Sequence, residues 1–300
     1  MPRAPDQILR GICLMLGFCI LAPLQDVASK LATTDIPVGQ ITTARFIVQG
    51  ALMVPVILLM GLNWRVSGRM VKFLAQRAFF LILSNYFFVM AVAVMPIADA
   101  LTIAFILPFI LLWFGKTLFK DEIGPHRIWA SLVGFSGALL VIQPSLNAFG
   151  LVALFPLGTA FSFAAYILTT RKMAGYMHPV TMQLHTSIMG IVMCLPVMLW
   201  ADDTGWKEFD PLMPQGLNWL WLFGVGFWAA ISHMSMTYAL KFAPSTTLAP
   251  LHYFEIVAAV ALGYLVFGDF PNRMTWSGIA VIIASGLYII HRERLAQRRS

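Results

Sequence analysis

His252 and Glu255 lie three residues apart inside an otherwise apolar run of the chain. Ionisable groups in hydrocarbon are costly, so their first reading is functional. At that spacing the two share one face of a helix. Such a pair can hold one exchangeable proton or engage the ammonium group of a solute; a packing hydrogen bond to a neighbouring helix is the plainer alternative. Asp26 and Arg45 form a second candidate pair. They fall on consecutive apolar segments, roughly 8–10 Å below the same boundary at ~1.5 Å rise per residue. That suits an ion pair locking two helices, or a gate that breaks as the helices move. Capture of a carboxylate by Arg45 is a third option.

Other groups could complete a cavity with these. His233 stands within HMSMTY, where a satisfied core histidine competes with a ligand-binding one. Asn85, Tyr86, Thr102, Ser162, Tyr166, Phe227, Trp228 and Tyr253 also fall in apolar runs, each alone as well explained by packing. Pro55 and Pro196 occupy matching places in two segments and are hinge candidates. Catalytic and metal motifs are missing: there is no HExxH or GxSxG, and HxxE alone is too little for a metal site. Cys13, Cys19 and Cys194 read as small buried hydrophobes. No enzyme activity, cofactor or metal is expected, and with no Walker motif the chain does not itself use ATP.

The elements that must carry these residues follow from composition. Of 300 residues, 59% are hydrophobic and 11% charged, against about 25% charged in soluble proteins. This is a membrane-protein composition. The expected spans are 9–31, 38–62, 74–95, 98–118, 126–143, 149–170, 179–200, 217–240, 245–267 and 274–291. Between them lie polar or helix-breaking stretches such as TTDIP, KDEIGP, QPSLN and GDFPN. The third and fourth spans are nearly fused, with a tight turn expected at Pro96. The first span resembles a signal peptide in its basic start and VAS stretch; it reads instead as a retained helix, because its end is part of an internal repeat.

Lys and Arg placement sets the orientation. With alternating loops, sixteen of the twenty fall on one side: Arg3, Arg10, Arg65, Arg69, Lys72, Arg77, Lys116, Lys120, Arg127, Arg171, Lys172, Lys241, Arg292, Arg294, Arg298 and Arg299. Lys30, Lys207 and Arg273 fall on the other, and Arg45 inside a span. Both termini are therefore expected in the cytoplasm, in a multi-pass protein of the cell (inner) membrane. The net charge of +7 reflects orientation and a basic cytoplasmic tail at 291–300 rather than nucleic-acid binding. Lys30 and Lys116 are expected to snorkel, and Asp99 to cap a helix N-terminus.

The repeat is internal and inverted. SKLATTDIPV (29–38) matches RKMAGYMHPV (171–180), VPVILLMG (54–61) lines up with LPVMLWAD (195–202), and residues 100–122 with 248–270. Five spans separate the matched phrases, so they fall on opposite sides of the membrane. Two five-helix halves result, 1–145 and 146–300, of opposite topology. Inverted repeats of this kind belong to transporters that rock between two states.

DVASKLATTDIPVGQITTARF (26–46), ending in Arg45, and YFEIVAAVALGYLVFGD (253–269), with Glu255 at its acidic position, resemble the EamA-type branch of the drug/metabolite transporter superfamily. Three departures stand out: Ile256 replaces the usual Pro after the Glu, Leu107 replaces the acid before Pro108, and Asp269 the usual Glu. The resemblance implies an all-α membrane fold of ten transmembrane helices in two inverted repeats, with a central cavity lined by the first, third, fourth, sixth, eighth and ninth. The expected function is secondary transport of a small polar metabolite by alternating access, first as amino-acid-like export, with proton coupling one option. The alternative is uptake of a vitamin or nucleoside-type metabolite such as riboflavin, a nucleobase or an S-adenosylmethionine-like solute; a passive channel or assembly protein is the reading of another class. The partners are the small-molecule substrate, the lipid bilayer and optionally protons, with monomer and homodimer both open.

Overall fold

The computed structural model describes residues 5–95, 97–142, 150–202, 204–268, 270 and 272–299. Arg3, Pro96, Asp269, the QPSLN stretch, and the side chains of Asp99, Thr102, Arg298 and Arg299 fall outside what is described. Among the described residues every regular element is helical. In chain order they are α1 (Pro5–Ala32), α2 (Val38–Leu59), α3 (Gly68–Val94), α4 (Ile97–Ala104), α5 (Leu107–Phe119) and α6 (Pro125–Ile142). A 3₁₀ turn (Gly150–Ala153) then leads into α7 (Leu154–Met173), followed by α8 (Pro179–Ala201) and α9 (Asn218–Phe242). A short α10 (Ser245–Leu248) passes through a 3₁₀ stretch (Ala249–Tyr253) into α11 (Phe254–Leu262) and a π turn (Gly263–Phe267), and α12 (Arg273–Arg299) closes the chain. Among the described residues, seven helical stretches are long and apolar enough to cross a membrane: Gln7–Ala32, Val38–Leu59, Gly68–Val94, Gly150–Met173, Pro179–Ala201, Ser245–Phe267 and Arg273–Leu295.

Two expected spans are not regular helices. The 98–118 segment breaks between α4 and α5, and proline chemistry explains where. Pro108 has no N–H to give, and its ring clashes with the carbonyl four residues back, that of Ala104, the last residue of α4. The 245–267 segment tightens to 3₁₀ around Pro250. The two irregular stretches meet: the rings of Phe105 and Tyr253 lie 5.5 Å apart, and the Tyr253 hydroxyl donates to the Phe105 carbonyl at 3.4 Å. A backbone acceptor near the break is thus served by the other broken segment. The third span also starts earlier than expected, at Gly68, so Arg77 lies well inside the helix rather than at its first turn.

The helices pack chiefly in pairs, α1 along α9, α3 along α7, α2 along α8 and α6 along α12. The α6–α12 contact brings the two backbones close. A methyl group on Gly278 would stand 2.5 Å from the Gly137 carbonyl oxygen and 2.7 Å from the Val141 nitrogen, so small residues set this approach. Ser285 on α12 donates to the Ala130 carbonyl on α6 at 2.7 Å. Between the pairs lies a core built on Phe18, Phe46, Leu81, Tyr166 and Leu251.

Candidate functional site

A small cavity of about 80 Å³ opens among α1, α2, α3, the α4–α5 break, α7, α9 and α11. That is below the roughly 300–1,000 Å³ of sites that enclose a whole ligand, so a metabolite-sized solute enters only as the surrounding helices part. Phe18, Phe88, Phe105 and Phe163 give it aromatic walls, and Gln25, Asp26, Arg45, Ser84, Asn85, Thr159, His233 and Glu255 give it polar ones. It occupies the half of the molecule nearer the α1–α2 turn: Asp26 is near the end of α1, Arg45 near the start of α2 and Thr159 near the start of α7.

The expected Asp26–Arg45 ion pair is not formed among the described residues. Arg45 is drawn instead to α3 and α9, donating to Asn85 Oδ1 at 3.3 Å and contacting His233 Nε2 at 2.7 Å. Asn85 is fixed in turn by donating to Thr42 Oγ1 at 2.9 Å. The cavity is left with unmet hydrogen-bonding capacity of both kinds: Gln25 Oε1 and Asp26 Oδ2 have no donor, and Arg45 Nε no acceptor. A guanidinium can only donate, so His233 Nε2 accepts from Arg45 and the ring proton sits on Nδ1. That proton is donated to the Tyr166 hydroxyl, 3.1 Å away.

Arg77 then meets Tyr166 from the far side. Loop-side placement, expected from its charge, is corrected by the structure: Arg77 lies on α3, fully buried. Its Nε donates to Thr170 Oγ1 at 2.8 Å, and one Nη2 serves Tyr166 and Gln183 Oε1, both at 2.7 Å. Thr186 and Thr237 complete the set. Thr170 is near the end of α7 and Gln183 near the start of α8, so this cluster plugs the opposite half of the molecule from the cavity. The run Arg45–His233–Tyr166–Arg77 joins the two. In sequence the signal for it is a polar stripe on α3, with Arg77, Ser84 and Asn85 at helical spacing.

Other expected residues divide. Glu255 stands on the cavity wall. His252 does not pair with it: its ring is edge-on to Phe18 at 5.8 Å and Phe163 at 6.3 Å, because the 3₁₀ stretch seats it against that aromatic cluster. Tyr253 is buried at the helix break, and Tyr86 stacks on Phe209 at 5.4 Å beside a separate, mostly apolar pocket. Trp228 packs edge-on to Phe227 at 5.1 Å. Pro55 and Pro196 lie within α2 and α8, on exposed faces of that pair. Lys30 reaches the Val92 and Met95 carbonyls at 3.1 and 3.0 Å, satisfying the end of α3.

At the far end from the cavity, charges do pair. Arg171 grips Asp121 through both nitrogens at 2.6 Å, over the Phe119 ring. Thr246 donates to Asp121 at 3.0 Å, and Arg127 pairs with Glu293 at 2.9 Å. Gly115 makes room for Thr246 here. No group of His, Cys, Asp or Glu that could hold a metal occurs among the described residues.

Comparison with known proteins agrees with this architecture. Over 181 residues the chain is 30% identical to a riboflavin transporter of Vibrio cholerae, covering 60% of this chain and 58% of that relative. It is 24% identical to an S-adenosylmethionine uptake transporter of Rickettsia prowazekii, covering 95% of this chain and 94% of the relative. A pseudopaline exporter of Pseudomonas aeruginosa is 23% identical, covering 93% and 95%. A solved crystal structure shares the fold at a TM-score of 0.76 and 18% identity, over 96% of this chain and 99% of the other. These names indicate a transporter rather than an enzyme. The EamA-like transporter family matches twice, over residues 9–143 and 150–291, and the chain is a multi-pass membrane protein that belongs to that family.

Proposed function

We propose that the chain is a secondary transporter, working by alternating access, that takes up a small zwitterionic metabolite with an aromatic heterocycle. The carrying observation is the cavity wall. It sets one guanidinium with a free Nε (Arg45) against two carboxylates (Asp26 and Glu255) amid four phenyl rings. In chemistry, S-adenosylmethionine complements that wall group for group once the helices have parted to admit it, with one carboxylate, an ammonium, a sulfonium and an adenine. Riboflavin, uncharged, uses the rings but offers no charged group to the buried polar atoms of Asp26 and Arg45 that lack partners, which is costly. The relatives' names support the uptake alternative over amino-acid export, and the exporter among them keeps direction a matter for experiment.

Two inverted halves of five spans, 1–145 and 146–300, are the machinery of this reading, with both termini cytoplasmic in an inner membrane. Its support is the twofold family match and the contacts. The register that sets residue 100 against 248 also sets Asn85 against His233, Phe105 against Tyr253, Gly137 against Ser285 and Ala130 against Gly278. Asn85 and His233 both hold Arg45, Phe105 meets Tyr253, and Gly137–Gly278 has its counterpart in Ser285–Ala130. Such closed sets of contacts arise when two halves are related by a twofold axis.

The test is uptake into proteoliposomes of labelled S-adenosylmethionine, riboflavin and a panel of amino acids, with and without a proton gradient. Saturable S-adenosylmethionine flux is expected. Saturable flux of amino acids alone would return the function to amino-acid transport. Non-saturable leakage of all solutes would point to a channel and sink the proposal.

A further inference from the structure

The Arg77 cluster is not part of the cavity, yet its composition resembles a site rather than a brace. All five acceptors around the guanidinium, on Thr170, Thr186, Tyr166, Gln183 and Thr237, are neutral. Arg127 and Arg171, in contrast, each meet a carboxylate. A full positive charge on neutral acceptors in an apolar interior is expensive, and a neutral amide could tie the same helices together without that cost. Beside it Gln183 is fully buried, its Oε1 taken by Arg77 and its Nε2 without any partner. A cation and a spare amide donor at one spot both call for an anion.

The cluster is also assembled between helices. Its acceptors come from α7, α8 and α9, and the arginine from α3, so it holds only while these are closed on one another. The hydrogen-bonded run from Arg45 through His233 and Tyr166 makes Arg77 the next polar station beyond the cavity. We infer that Arg77, with Gln183, is a second anion subsite that receives a carboxylate from Arg45 when the helices part on that side. That the carboxylate belongs to the transported solute rests on the function proposed above; the existence of the subsite does not.

Two experiments separate these. In the first, wild-type proteoliposomes are treated with the arginine-selective reagent phenylglyoxal, with and without sodium acetate, and modification of Arg77 is followed by mass spectrometry. Slow modification that acetate retards by at least about threefold is expected for a charge-assisted contact. Equal rates, or no modification of Arg77 at all, would overturn the subsite whatever the solute. In the second, Arg77→Gln and Arg77→Lys are compared for flux of S-adenosylmethionine and of its decarboxylated analogue. The Gln variant is expected to lose at least about tenfold of the carboxylate-bearing flux relative to the analogue, with the Lys variant recovering part of it. Equal loss for both solutes would mark Arg77 as a brace and overturn the inference. Acetate protection with no S-adenosylmethionine flux in the wild type would leave the subsite standing and remove the solute assignment.

Discussion

Arg45 is gripped on one side and free on the other. Asn85 and His233 occupy its Nη groups while Nε has no partner, and the residue lines the cavity. Lysine carries the same charge but not the planar fork. Arg45→Lys is therefore expected to weaken S-adenosylmethionine binding by about tenfold or more, measured by equilibrium dialysis of the detergent-solubilised protein; unchanged affinity would remove Arg45 from the binding wall. Glu255 faces the same space and is the candidate for proton coupling. Glu255→Gln is expected to keep equilibrating flux and lose gradient-driven accumulation, and full accumulation by the variant would dismiss that role. Much of this wall is legible in the sequence, because Asp26, Arg45, His233 and Glu255 are polar groups stranded in apolar runs. What cannot be read is who meets whom. Arg45 has a long side chain that reaches Asn85 and His233 on two other helices rather than Asp26, and His252 is seated against Phe18 and Phe163 where the helical pitch changes. Arg77 is hidden for a different reason: it follows Arg65, Arg69 and Lys72 closely enough to look like one more loop charge.

At the level of elements, the sequence marks helix ends well because Gly, Pro and charged stretches punctuate it, as at TTDIP and GYMHP. It marks breaks poorly. Pro108 and Pro250 sit in runs as apolar as any other, and whether a proline kinks a helix or splits it depends on what can serve the stranded carbonyls. Here Tyr253 serves one. The α6–α12 contact makes a firmer prediction. A side chain on Gly278 collides with backbone atoms of α6, whereas one on Gly68 meets nothing. Gly278→Ala should destabilise the fold by about 1–3 kcal/mol through overpacking, while Gly68→Ala should leave it near neutral. Thermal unfolding in detergent, followed by intrinsic fluorescence, checks both; equal Tm values would mean the two helices are not held this closely.

The whole molecule has a polarity that labelling can read. Trp64, in the turn between α2 and α3, and Met213, between α8 and α9, are both exposed, at 66% and 79%. Cysteines placed at these two positions in a background lacking Cys13, Cys19 and Cys194 should react with a membrane-impermeant maleimide from opposite sides. Position 64 should be reached only from the cytoplasm; reaction from the outside would reverse the orientation drawn from Lys and Arg placement.

The cavity occupies one half of the molecule and the Arg77 plug the other, and this division shapes the electric field. When the cavity opens to solution it carries the bulk potential inward toward Arg45, and most of the transmembrane voltage then drops across the closed layer around Arg77. A unit charge crossing the full field gains ~2.3 kcal/mol per 100 mV. A cationic solute would then gain most of that on its passage from Arg45 past His233 and Tyr166 to Arg77, and the voltage would bias that one step.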